Sequence, residues 1–213
     1  MITTLLFDLD NTLYSPSFGM EDDVIRRMNE YVVRVLGKSL DECRKIRSER
    51  LPHYGTTLEW LMAEHGVTDT EDYFAYVHPE GEELVLRREP EVQAALEALL
   101  YPKYILTNAP MEHADRVLRV LGLAEYFTGI YDIRFNKLKG KPHQEAYLRV
   151  CADMGVSTDE VLFVDDIPRY ANGFTEVGGT GVLIDQFGKH KGYGGTKIQA
   201  LGELTALLGK KGD

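Results

Sequence analysis

Residues 3–14 read Thr3-Thr4-Leu5-Leu6-Phe7-Asp8-Leu9-Asp10-Asn11-Thr12-Leu13-Tyr14. The run Leu5-Leu6-Phe7 is short, continuous and apolar, the pattern of a strand buried on both faces in a parallel sheet. It stops abruptly at two carboxylates spaced i and i+2. Two other runs repeat the design: Tyr104–Leu106 stops at Thr107-Asn108, and Val161–Val164 stops at Asp165-Asp166. Gly129–Ile133 and Gly181–Ile184 are further strand candidates. From residue 90 onward these runs alternate with helical patterns over Glu91–Leu100, Glu112–Leu121, Gln144–Met154 and Thr196–Leu208, the last three closed by Gly122, Gly155 and Gly209. The alternation predicts an α/β fold, a doubly wound Rossmann-like parallel sheet.

Between Ser15 and Arg88 the rhythm breaks. Four helical patterns (Met20–Leu36, Ser39–Arg50, Thr57–His65, Thr70–Val77) follow one another without a convincing strand, bracketed by Pro16 and Pro90. An all-helical insert directly after the first strand would sit over the carboxyl ends of the strands. The expected organisation is a core of residues 1–14 and 88–213 and a cap of residues 15–87. Glu80–Glu83 reads as a solvated turn and Gly188–Gly195 as a flexible loop.

The composition is that of a globular chain of 213 residues with 44% hydrophobic and 27% charged positions. Lys plus Arg number 24 against 34 Asp plus Glu, a net charge of -10. That balance disfavours a nucleic-acid polymer, whose phosphates need a basic face, and leaves room for a small anionic ligand. Cys43 and Cys151 are the only cysteines, too few for a disulfide framework or a Cys-rich zinc site. The N-terminal run lacks the basic flank of a signal peptide and no stretch reaches the ~20 apolar residues of a membrane span, so a cytoplasmic protein is expected.

Several familiar sites fail on spacing. Gly37-Lys38-Ser39 has Val32 where a P-loop needs glycine, no G-x-G-x-x-G follows the first strand, and there is no G-x-S-x-G elbow or H-E-x-x-H pair. The six histidines read as surface or cap residues. What survives is carboxylate chemistry at strand ends. A D-x-D spacing arises about once by chance in such a chain, so its placement after a buried strand carries the weight. Two ionised carboxylates ~4 Å apart repel by about 4 kcal/mol at an effective dielectric of 20, so Asp8, Asp10, Asp165 and Asp166 gathered together imply a cation. All-oxygen ligands point to Mg²⁺. Thr107-Asn108 adds hydroxyl and amide donors, and Lys141 before Pro142 adds an ammonium, completing a site suited to phosphate.

These residues resemble the haloacid dehalogenase superfamily of aspartate-nucleophile hydrolases. Asp8-Leu9-Asp10-Asn11-Thr12-Leu13-Tyr14 is similar to its first motif, Thr107 to its second, Lys141-Pro142 to its third and Asp165-Asp166 to its fourth. Tyr54-Gly55-Thr56-Thr57-Leu58, Val77-His78 and His113-Ala114-Asp115-Arg116-Val117-Leu118 resemble its pyrimidine 5'-nucleotidase subfamily. The resemblance implies that Asp8 attacks phosphorus, that Asp10 is general acid then base, and that Thr107, Asn108 and Lys141 hold phosphate. It implies Mg²⁺ on Asp8, on Asp10 through its carbonyl, and on Asp166, with Asp165 in direct or indirect support. The family usually continues its fourth motif as D-D-S-x-x-N, whereas Ile167 and Tyr170 stand at the last two named positions here, with Asn172 nearby.

The expected activity is a Mg²⁺-dependent phosphomonoesterase working through an aspartyl-phosphate on a small phosphorylated metabolite such as a pyrimidine nucleoside 5'-monophosphate. Phe18, Tyr54 and Thr56 are the cap candidates for contact with the leaving group. Tyr14 and Trp60 are further aromatics able to stack on a base, although at helical spacing an aromatic is more often core. A sugar phosphomutase and a non-catalytic binding module are the alternatives on this scaffold. A carbon–halogen hydrolase would need no acid for its halide and so no Asp10.

Overall fold

In the computed structural model, which describes residues 1–209, six strands form one sheet: β1 (Thr4–Phe7), β2 (Lys103–Leu106), β3 (Gly129–Tyr131), β4 (Val161–Asp165), β5 (Thr180–Ile184) and β6 (Thr196–Ile198). Their order is β3-β2-β1-β4-β5-β6 and every neighbouring pair is parallel. The predicted α/β doubly wound class is therefore the observed one. β1 lies at the point where the strand order reverses, with Leu5 in register with Lys103 on one side and Leu162 on the other. Crevices at such a switch point, beyond the carboxyl ends of the strands, are where open α/β sheets hold ligands.

The central strands β1, β2, β4 and β5 are buried on both faces, as their unbroken apolar runs require, whereas β3 and β6 at the edges are partly exposed. Leu5 and Phe7 join one apolar cluster with Leu96, Val117 and Leu121, which belong to helices α5 (Pro90–Ala98) and α6 (Met111–Leu121). Leu6 and Phe163 join another with Tyr147, Val150 and Phe174 from α7 (Gln144–Met154) and α8 (Pro168–Glu176). The alternation follows from the two-residue side-chain period of a strand.

Four helices fill the stretch between β1 and α5: α1 (Met20–Leu36), α2 (Leu40–Arg50), α3 (Thr57–His65) and α4 (Thr70–Val77). Ser39 and Glu42 cap α2 reciprocally, so the helix begins one residue later than the sequence pattern suggested. The four share an apolar cluster of their own around Tyr31, Val32, Leu58, Trp60, Leu61, Phe74 and Val77, touched by Ile133 from the segment after β3. Among the described residues no helix is long and apolar enough to cross a membrane.

Two sequence expectations are corrected. Thr196–Leu208 is not one helix: Thr196–Ile198 adds a sixth strand beside β5, followed by a 3-10 turn, Leu201–Glu203, and a short α9 (Leu204–Gly209). β-Branched Thr196 and Ile198 satisfy their backbone at the sheet edge, a pairing that local periodicity cannot register. The Glu80–Glu83 stretch is not a solvated turn, because the Glu82 side chain is 2% exposed and Glu83 is buried. At the start of the 188–195 loop, the backbone N–H groups of Lys189 and His190 donate to the Asp185 carboxylate at 2.8 and 3.0 Å.

Candidate active site

Because the strands are parallel, β1, β2 and β4 end at one edge, and the residues after them meet there. The Asp8 N–H continues the sheet by donating to the Val164 carbonyl at 2.8 Å. The chain then turns over Leu9–Leu13, with Asn11 in the left-handed region at φ +57°, a conformation that its short polar side chain tolerates. The turn leaves the Asp8 carboxylate buried, with Oδ1 accepting from Lys141 Nζ at 2.6 Å and Oδ2 from Thr12 Oγ1 at 3.2 Å. Lys141 Nζ also donates to Asp165 Oδ2 at 2.6 Å, and the other Asp165 oxygen accepts from the Ile167 N–H at 2.8 Å. Ligand oxygens of Asp8, Asp165 and Asp166 all lie within 4.8 Å of one another.

Burial, opposed by the Lys141 ammonium and aided by Asp165 and Asp10, holds the Asp8 carboxyl up at about 7. Burial and then the negative charges of Asp165 and Asp8 raise Asp166 to about 9. Burial would lower Lys141, but Asp165 and Asp8 outweigh it and hold the ammonium well above the ordinary lysine range. A cluster of hard oxygens whose carboxyls retain protons in the absence of a cation fits a Mg²⁺ site.

The second-motif residues divide their work. Thr107 is buried; its Oγ1 accepts from the Ala109 N–H at 3.0 Å, and its hydroxyl lines the same cavity as Asp8. Asn108 clamps the third motif: its amide nitrogen donates to the Lys141 carbonyl at 2.9 Å and its oxygen accepts the Lys141 N–H at 2.8 Å. Tyr170 lays its ring centroid 5.1 Å from Lys141 Nζ and donates through its hydroxyl to the Gly55 carbonyl, just before α3, at 3.3 Å. Asn172 is exposed and takes no part.

Asp10 faces a different environment. Its Oδ1 accepts from Tyr14 Oη at 2.7 Å and is 2.8 Å from His113 Nε2. His113, 1% exposed, places its other ring nitrogen 2.6 Å from Glu82 Oε1, which is also 3.0 Å from His78 Nδ1. Arg27 of α1 pairs with the second Glu82 oxygen, and Arg116 lies 3.6 Å from Oε1. Burial would raise Asp10, but the His113 charge and the two hydrogen bonds outweigh it and hold Asp10 at about 2. Burial would lower His113, yet Asp10 and Glu82 lift it to about 10. His78, Glu82 and His113 also gather as potential metal ligands. With Arg27 and Arg116 already beside Glu82, a further dication there is electrostatically opposed, and the triad works as a hydrogen-bonded network.

A cavity of about 270 Å³ opens above Asp8, lined from the sheet edge by Asp10, Thr107, Lys141 and Asp166 and from the stretch between β1 and α5 by Met28, Arg47, Thr56, Tyr73 and Phe74. Of the cap residues expected to meet a leaving group, Thr56 lines it and N-caps α3. Phe18 instead packs against the core cluster, and Tyr54 donates to Glu64 at 2.9 Å, so the structure does not bring either to the cavity. Trp60 is fully buried in the apolar cluster of α1–α4, and Tyr14 lines the cavity with its hydroxyl held by Asp10. Sequence reasoning missed His113, Glu82, Arg47 and the work of Tyr170. His113 carried a sequence signal through the His113–Leu118 stretch, and Tyr170 through its departure from D-D-S-x-x-N; Glu82 and Arg47 sit among ordinary surface-like charges.

Residues 2–178 match the haloacid dehalogenase-like hydrolase family. The chain belongs to it. Among relatives of this haloacid dehalogenase-like hydrolase, phosphate metabolism protein 8 of Saccharomyces cerevisiae is 24% identical over 136 residues, 58% of the chain and 41% of that protein. The chain thus spans about two fifths of the yeast protein's length. Phosphoglycolate phosphatase of Yersinia pseudotuberculosis is 26% identical over 176 residues, 78% of the chain and 73% of that enzyme. The structure of a phosphatase from Thermococcus onnurineus superposes with a TM-score of 0.67 at 24% identity, covering 98% of each chain.

Proposed function

We propose that this hydrolase is a Mg²⁺-dependent phosphomonoesterase acting on a small phosphorylated metabolite through an aspartyl-phosphate at Asp8, with residues 15–87 acting as a cap over the site. The observation that carries the reading is the Asp8–Lys141–Asp165 contact set at the switch point, with Asp166 beside it and Asp10, held from behind by His113, lining the same cavity. The phosphatase names borne by two of the compared proteins support the same reaction class. A pyrimidine nucleoside 5'-monophosphate is the candidate substrate drawn from the motif resemblance in the cap.

Asp8 and Asp166 would hold the Mg²⁺, together with the Asp10 carbonyl, and Asp165 would anchor Lys141, since both Asp165 oxygens already accept hydrogen bonds. The metal would supply charge neutralisation where a carboxylate must approach a phosphate dianion. Asp8 Oδ attacks phosphorus, the ester P–O bond breaks, and the alkoxide takes a proton from Asp10. Two negative charges of bound phosphate beside Asp10 favour the proton it needs for that step. Once the alcohol has left, Asp10, returned to the ionised state that His113 favours, takes a proton from water, whose oxygen attacks phosphorus; the P–O bond to Asp8 breaks, releasing inorganic phosphate and restoring the Asp8 carboxylate.

Asp8→Asn is expected to abolish turnover of p-nitrophenyl phosphate at saturating Mg²⁺, while Thr107→Ala retains part of it, and EDTA should silence the wild type. Asp10→Asn should lose ~10²–10⁴-fold on an alkyl phosphate and much less on p-nitrophenyl phosphate, whose leaving group needs little protonation. Wild-type activity in Asp8→Asn would sink the covalent mechanism. Phosphate retained on the product in phosphorus NMR would indicate a phosphomutase, and no turnover of any monoester a binding module.

A further inference from the structure

We propose that Arg47 reads an acceptor oxygen on the leaving group, so that preferred substrates are phosphomonoesters whose alcohol carries a carboxylate or a ring carbonyl. The inference rests on the phosphomonoesterase reading and adds to it the chemistry of the cap end of the cavity.

Helix α2 carries three arginines that differ in surroundings. Arg44 and Arg50, half exposed, lie 3.8 Å from Asp41 and 3.5 Å from Glu64, as solvated surface cations do. Arg47, between them, turns inward and lines the cavity that holds Asp8 and Lys141. Its Nε donates to Thr57 Oγ1 at 2.8 Å and its Nη2 to Met28 Sδ at 3.2 Å, so both contacts are to uncharged groups. Among the described residues no carboxylate comes within ion-pair range of it and Nη1 has no partner. Glu21, the carboxylate on the cap side of the cavity, is already taken by the side-chain amide of Asn11.

A guanidinium cannot shed its charge at any physiological pH, and Arg47, half-buried on a cavity wall shared with Met28, Leu58 and Phe74, gives up part of its hydration with no charged partner in return. Lys141, the other permanent cation on the cavity wall, has its partners in Asp8 and Asp165. The cavity therefore has a phosphate end built by the core and an unpaired fork of N–H donors at the cap end. A fork of that shape matches the two oxygens of a carboxylate or the carbonyl of a planar ring. Thr57 Oγ1 holds Nε, so the orientation of the fork is set before anything binds.

The test compares kcat/KM of wild type, Arg47→Met and Arg47→Lys at saturating Mg²⁺ on two matched pairs, phosphoglycolate against ethyl phosphate and uridine 5'-monophosphate against ribose 5-phosphate, with phenyl phosphate as reference. Arg47→Met should cost one acceptor-bearing ester at least about tenfold more than its mate and than phenyl phosphate, as the loss of a charge-assisted hydrogen bond implies. The pair that responds names the source of the oxygen. Arg47→Lys should restore part of the preference if that oxygen is a carboxylate, which recognises charge, and little if it is a carbonyl held by the fork. An equal loss on all five esters, or none on any, would overturn the assignment. If wild type hydrolyses none of them, phenyl phosphate included, the phosphomonoesterase reading itself falls.

Discussion

Asp10 and Asp8 stand two residues apart and are driven in opposite directions. Asp8 is raised to about 7, chiefly by burial, whereas His113 and Tyr14 hold Asp10 at about 2 despite burial. The Asp10–His113 pair should therefore be visible in stability. A carboxylate held below its free value of 3.8 stabilises the fold above that value and loses the contribution as pH falls toward 2. An imidazolium held at about 10 stabilises fully below its free value of 6.5 and loses the contribution as pH rises through 10. The gap in thermal stability between wild type and His113→Gln should be largest between about pH 4 and 6.5, on the order of 3–5 kcal/mol for a broken buried pair, and shrink toward pH 10. Thermal melts of both proteins at pH 5 and pH 10 check it; an identical gap at both would mean that His113 contributes only packing.

Between elements, two glycines separate a functional approach from a structural one. A Cβ on Gly140 would lie 2.0 Å from Asn108 Oδ1, the atom that accepts the Lys141 N–H. Its close neighbours, Asn108 and Ile133, are side chains that can move aside, so Gly140→Ala should lose less stability than a clash with backbone would cost while displacing the clamp on Lys141. Turnover is expected to fall by about tenfold, the equivalent of one or two hydrogen bonds. A Cβ on Gly181 of β5 would instead meet the backbone carbonyl oxygen of Ala171 in α8 at 2.0 Å. Backbone cannot yield so cheaply, and Gly181→Ala should lose about 1–3 kcal/mol of stability with kcat retained in whatever folds. Parallel melts and rate measurements on the two variants decide it; the reverse pattern would refute the clamp.

Across the molecule, the sheet edge concentrates negative charge that folding alone does not compensate. Asp8 at about 7 and Asp166 at about 9 are both raised above 3.8, so their contribution to stability is fully present below that value and is lost as pH rises through 7 and 9. A bound divalent cation reverses the loss and competes with protons for the same oxygens. Added Mg²⁺ should raise the melting temperature more at pH 8 than at pH 5, and Asp166→Asn should reduce the difference. Equal Mg²⁺ shifts at both pH values, measured by calorimetry, would place the cation elsewhere.

The order of polar residues after apolar runs was enough to establish the class of fold, five of the six strands and the meeting of Asp8, Thr107 and Asp165-Asp166, because parallel strands must end at one edge; Lys141 reaches them from the loop between β3 and α7. Burial patterns of period two and 3.6 are local, and local patterns survive in a sequence. β6 escaped because three residues at a sheet edge owe their conformation to β5 and not to their own periodicity. Glu82 looked like one of several exposed acids, and only packing under α1 and α6 shows that it links Arg27 to His113 and so to Asp10. Arg47 is indistinguishable in sequence from Arg44 and Arg50; which of the three turns inward depends on how α2 sits against α1 and α3. Strand ends are written in the chain, whereas the partners of a buried charge are decided by elements distant in sequence.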